Sequence, residues 1–81
     1  MYVRFDRDTC IGTYNCTHEW VEFIEDRTAG KATLIDSTED EPEIYVRSVP
    51  DGEESDAQWA ARVCPVDAIT IYDENDTQVA P

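Results

Sequence analysis

A small α+β domain spanning residues 1–81 is what the sequence predicts, on three observations. Met1 to Asp6 and Ile69 to Tyr72, near the two ends, alternate apolar and polar residues with the period of a half-buried strand. Between them, Ser55 to Val63 carries helix signals: Ser55-x-x-Gln58 has the form of a capping box, and Pro65 stops the helix at or before Cys64. Short apolar runs broken by turn residues fill the rest, so that roughly five short elements share one domain.

In the first strand Val3 and Phe5 fall on one face, and Tyr2, Arg4 and Asp6 on the other. Asp8 and Thr9 lead into the loop Cys10-Ile11-Gly12-Thr13-Tyr14-Asn15-Cys16. Positions 10, 13 and 16 are three apart, and a tight loop with about three residues per turn presents them on one side. Gly12 takes positive φ without steric penalty, and such a bend turns backbone N–H groups toward an anionic object. Thr17 to Val21 predicts one helical turn with Thr17 as its N-cap.

Phe23 and Ile24, the turn around Gly30, and the apolar Ala32, Leu34 and Ile35 predict a β-hairpin. Asp36 to Glu43 is almost entirely polar or acidic and is expected to be a solvated connection. Ile44 to Arg47 alternates again and predicts a short extra strand or packed loop. In the helix, Ala57, Trp59, Ala60 and Val63 are the expected buried residues, with Glu53, Glu54 and Asp56 at the end where the helix dipole favours negative charge. Residues 73–81 read as a frayed tail.

Nineteen Asp and Glu against six Lys and Arg give a net charge of −13 over 81 residues. Nucleic acid is excluded as a partner, because its phosphates would be repelled. The acidic residues are spread along the whole chain, which favours adaptation to a salty cytoplasm over a localised docking face for a basic partner. No apolar run approaches the ~18 residues of a membrane span, and no apolar, positively flanked N-terminal segment announces secretion. The expectation is a soluble cytoplasmic monomer.

A chain this short buries only ~60–65% of its unfolded surface, and domains of this size commonly rely on a metal, a disulfide or a partner. The three cysteines, Cys10, Cys16 and Cys64, cannot all pair with one another. Three readings are open on residue chemistry. The cysteines are small buried hydrophobes; or they hold a structural zinc with His18 recruited as fourth ligand; or they converge on an iron–sulfur cluster, which offsets three thiolate charges. Otherwise His18 is a surface residue, Trp20 and Trp59 are packing residues, and Asp67 caps the turn after Pro65.

Cys10-Ile11-Gly12-x-x-x-Cys16, followed by Ala60-Ala61-x-x-Cys64-Pro65-Val66-x-Ala68-Ile69, resembles the single-cluster bacterial-type ferredoxins over nearly the whole chain. The resemblance implies a ferredoxin-like α+β fold, a compact pseudo-twofold repeat of two β-α-β halves with small antiparallel sheets, in which the first and last strands pair. It implies cluster ligation by Cys10, Cys16 and Cys64, with Trp20 where the first repeat would carry its own Cys-Pro cysteine. The middle cysteine of the family pattern is Thr13 here. A neutral hydroxyl binds iron far more weakly than a thiolate, so the expected cofactor is a 3Fe-4S cluster with Thr13 lining the vacant corner and the N–H groups of residues 11–16 facing the sulfurs.

By the same resemblance the protein is a one-electron carrier between a reductase and an acceptor, cytochromes P450 being acceptors of such ferredoxins, and not an enzyme. Its acidity resembles that of ferredoxins from salt-loving archaea. The alternatives are a 4Fe-4S cluster with a non-cysteine ligand at Thr13, an iron–sulfur Lewis-acid site, and a zinc-stabilised interaction module.

Overall fold

The structure is a computed structural model that describes residues 1–81. Strand β1 (Tyr2–Asp6) is followed by a short helix α1 (Asn15–Glu19), a hairpin of β2 (Phe23–Asp26) and β3 (Lys31–Leu34), and a second hairpin of β4 (Thr38–Glu41) and β5 (Ile44–Ser48). Helix α2 (Glu54–Val63), β6 (Ile69–Tyr72) and β7 (Gln78–Ala80) complete the chain. The strands form a five-stranded sheet in the order β4-β5-β1-β6-β7 and a separate two-stranded sheet, β2-β3, with every pairing antiparallel. No helix is long and apolar enough to cross a membrane.

Register explains the core. Val3 stands opposite Ile71 and Phe5 opposite Ile69, so the alternation of β1 and that of β6 put four apolar side chains on one face. All four are almost fully buried. Helix α2 lies on the core through Ala57, Ala60 and Ala61, whose small side chains permit close approach. Phe23, Ala32 and Leu34 bring the second sheet onto the same cluster, with Phe23 edge-on to Phe5 at 5.2 Å and to Trp20 at 5.8 Å. Trp20 is buried and its indole N–H donates to Glu53 at the start of α2, Nε1 to Oε1 2.8 Å, so the bulky residue also ties α1 to α2.

Several expectations are corrected. Asp36 to Glu43 is not a bare connection but contains β4, an edge strand exposed at every position. Its turns place Asp36 and Glu43, rather than glycines, at positive φ, and a strand solvated on both faces has no apolar period to reveal it. Charge along such an edge discourages pairing with another chain. Ile44–Ser48 is a full strand lying between β4 and β1. The tail is not frayed: Asp73 Oδ1 accepts from the N–H groups of Asn75 and Thr77, and the chain returns as β7, with Ala80 buried.

Neither predicted cap forms. Helix α2 starts one residue before Ser55 with no side-chain cap, while Glu54 Oε1 instead accepts from the N–H of Gly52. Helix α1 begins at Asn15 rather than after Thr17, and the Thr17 hydroxyl bonds back to the Tyr14 carbonyl at 2.7 Å. Trp59 is half exposed, stacked under Arg62 at 5.2 Å, and Ala61 takes the buried place expected of it.

Candidate functional site

One small recess collects the three cysteines. Cys10, Cys16 and Cys64 line it together with Phe5, Ile11, Thr13, Tyr14, Pro65, Val66 and Ile69. All three thiols are free; Cys16 is buried, Cys10 and Cys64 are half-buried, and Thr13 is exposed at the rim. The structure therefore brings Cys10, Thr13, Cys16 and Cys64 to one recess; Gly12 does not line it, and His18 is exposed and does not line it either.

The loop reaches this arrangement by other means than a regular three-residue turn. Both Gly12 (φ 75°) and Tyr14 (φ 61°) are left-handed, a conformation costing a non-glycine residue about 1–2 kcal/mol. Tyr14 is held by its hydroxyl, which donates to the Asp26 carbonyl at 3.2 Å, and by Arg27 over its ring at 5.9 Å. Gly12 has a second constraint. A Cβ built on it would run into the Gly30 carbonyl, lying 3.0 Å from that carbonyl carbon. The loop is thus pressed against the β2–β3 turn, and only glycine satisfies both the bend and the contact.

The hairpin also holds the first cysteine. The Ala32 N–H donates to Cys10 Sγ at 3.4 Å, and the Lys31 ammonium donates to the carbonyls of Asp8 (3.0 Å) and Cys10 (2.8 Å). Arg7 fixes the hairpin in turn, through Ala32 O at 3.1 Å and the Asp26 carboxylate at 2.9 Å. None of Arg7, Tyr14, Lys31 or Ala32 was singled out by sequence reasoning. Lys31 and Ala32 meet the loop, and Arg7 and Tyr14 meet the hairpin, across roughly twenty residues of chain, which no local pattern encodes.

Cys64 sits just past α2. The Ala68 N–H donates to its Sγ at 3.4 Å, and the turn is completed by Asp67 N–H to Cys64 O at 3.5 Å with Asp67 at positive φ. Asp67 thus shapes this turn through its backbone. Asn15 joins the two cysteine segments by donating to the Val63 carbonyl at 3.5 Å.

Burial pushes the Cys16 thiol up to about 12, and the neighbouring sulfurs of Cys10 and Cys64 push it the same way. Three anionic sulfurs are therefore unstable here unless a positively charged centre offsets them. The N–H groups of Ile11, Gly12, Thr13 and Tyr14 donate to no backbone carbonyl, leaving them for an anionic acceptor such as inorganic sulfide. Thiols, free N–H groups and a largely apolar lining together fit an iron–sulfur cluster.

Residues 3–71 match the family model described as a 4Fe-4S single cluster domain. No curated protein and no solved structure matches the chain.

Proposed function

Because the chain belongs to the family of 4Fe-4S single-cluster domains, we propose that it is a one-electron carrier whose single cluster is 3Fe-4S, held by Cys10, Cys16 and Cys64. The observation that carries the cluster type is Thr13, which lines the recess where a fourth thiolate would be needed. The bound cluster supplies reversible one-electron chemistry at nearly fixed geometry. The residues do the rest: the thiolates anchor it, N–H donors at Ala32 and Ala68 reach two of their sulfurs, and Gly12 lets backbone amides face it. The two segments β1-α1-β2 and β5-α2-β6, each carrying part of the cysteine set, support the reading of a pseudo-twofold repeat.

The family's description favours a second reading, a four-iron cluster completed at Thr13 by a non-cysteine ligand. Electron paramagnetic resonance of anaerobically purified, oxidised protein separates the two. A three-iron cluster is paramagnetic in that state, and a silent sample carrying iron and acid-labile sulfide in equal, fourfold amounts defeats the three-iron reading. Zinc without sulfide would sink both.

In this proposal the partners are a reductase and a redox acceptor, with a cytochrome P450 as the acceptor class the missing middle cysteine suggests, and the site of action is the cytoplasm of a salt-adapted cell. The dispersed charge of −13 supports salt adaptation. Reduction of a P450 by the carrier, monitored by formation of its carbon monoxide complex, tests the acceptor assignment.

A further inference from the structure

Lys31 is the only lysine among 81 residues and stands among nineteen carboxylates, yet it pairs with none of them. Arg4, Arg7, Arg27 and Arg47 each lie within ion-pair distance of an Asp or Glu. The Lys31 ammonium is instead spent on two backbone carbonyls, those of Asp8 and Cys10, at 3.0 and 2.8 Å. The next residue along, Ala32, donates its N–H to the Cys10 sulfur. Arg62 likewise has no carboxylate within ion-pair distance but lies over the Trp59 ring, so Lys31 is the one cation without such a partner whose ammonium is bonded to the cysteine loop.

We propose that Lys31 is a positioning and electrostatic residue of the cysteine site, pinning the entry of the loop to β3 and holding one uncompensated positive charge against the group bound by Cys10. The inference rests on the cluster reading above. An electron added to that group lowers its charge by one unit, and a fixed cation nearby stabilises the reduced form. Because the ammonium is partly buried against the loop, salt screens it less than it screens the exposed carboxylates.

The test uses the iron-loaded protein and three variants. Lys31→Met removes the charge and the two hydrogen bonds, Lys31→Arg keeps the charge, and Arg4→Met removes an equal charge that is paired with Glu41 instead of the loop. The midpoint potential of Lys31→Met is expected to move to more negative values, by more than that of Arg4→Met, with the difference persisting as potassium chloride is raised, because the more exposed Arg4 is screened first. Its visible absorption should also bleach faster in air, while Lys31→Arg restores the potential. An unchanged potential in a Lys31→Met protein that retains its iron overturns the proposal, even if that variant is less stable. Should Lys31→Met assemble no cluster, Lys31→Arg decides: recovery of cluster and potential supports the proposal, and failure to recover overturns it. Absence of iron and sulfide from the unmodified protein would instead defeat the cluster reading.

Discussion

Gly12 and Gly30 meet where the cysteine loop touches the hairpin and are both left-handed, at φ 75° and 69°, which makes them a matched pair for separating conformational strain from contact. Replacing either by alanine places a Cβ in a conformation that costs about 1–2 kcal/mol. Stiffening of the unfolded chain returns roughly 0.4–1 kcal/mol of that. At Gly30 nothing lies within 4 Å of the new Cβ, so the net loss should be about 1 kcal/mol. At Gly12 the Cβ meets the backbone carbonyl of Gly30, a neighbour that cannot rotate aside as a flexible side chain would. Overpacking of that kind adds about 1–3 kcal/mol. In a domain of this size each kcal/mol moves the thermal midpoint by about 4–8 °C.

Gly30→Ala should therefore melt roughly 5 °C lower and Gly12→Ala at least ~10 °C lower. Circular dichroism melts of the iron-loaded proteins, at one heating rate because cluster loss is irreversible, provide the comparison. Gly12→Ala should also shed iron on standing, since relief of the clash moves the loop that carries Cys10 and Cys16. Equal midpoints for the two variants would refute the reasoning, because they would show that the hairpin does not press on the loop.

Four other outcomes are expected. Stripping the cluster by iron chelation removes a crosslink over the roughly 50 residues between Cys16 and Cys64, worth about 4 kcal/mol in the loop-entropy model, so low-salt circular dichroism should show a largely unfolded chain; a near-native spectrum would count against this. Where salt keeps the stripped protein folded, stability should fall as pH rises above 9.0, because the unfolded Cys16 thiol ionises there while the folded one, raised to about 12, stays protonated; Cys16→Ser should flatten this slope. Thr13→Cys should convert a three-iron centre to a four-iron one, seen as loss of the oxidised-state paramagnetic signal and a more negative potential. Deleting residues 77–81 should cost about 1–2 kcal/mol through Ala80 burial and ladder hydrogen bonds, whereas a frayed tail would cost nothing in a urea titration.

Much of the site was legible because its chemistry is written in residue types. Cys10, Cys16, Cys64 with Pro65, Thr13 in the middle position and Gly12 at the bend declare themselves by identity and spacing; the first five line one recess, and Gly12 shapes the loop that carries it. The strands of the core were legible too, since β1 and β6 each bury one face and so alternate. Helix α2 was placed within a residue of its start, and Ala57 and Ala60 are buried as expected, but Ala61 joins them while Trp59 is half exposed and Val63 only partly buried, because close helix-to-sheet approach admits small side chains and excludes an indole.

By itself, then, the sequence determined the α+β class, the cysteine set and the threonine that distinguishes this site, because each depends on local period or on the chemistry of single residues. Only the tertiary structure decided that β1 lies at the centre of the sheet and that β4 and β7 form its edges. Polar edge strands carry no apolar period, and their turns use Asp36, Glu43 and Asp76 at positive φ in place of glycine. Nor does any local pattern bring Lys31, Ala32 and Gly30 against a loop some twenty residues earlier. That contact exists because Phe23 and Leu34 anchor the hairpin in the core, and the core then holds the hairpin turn against the cysteines.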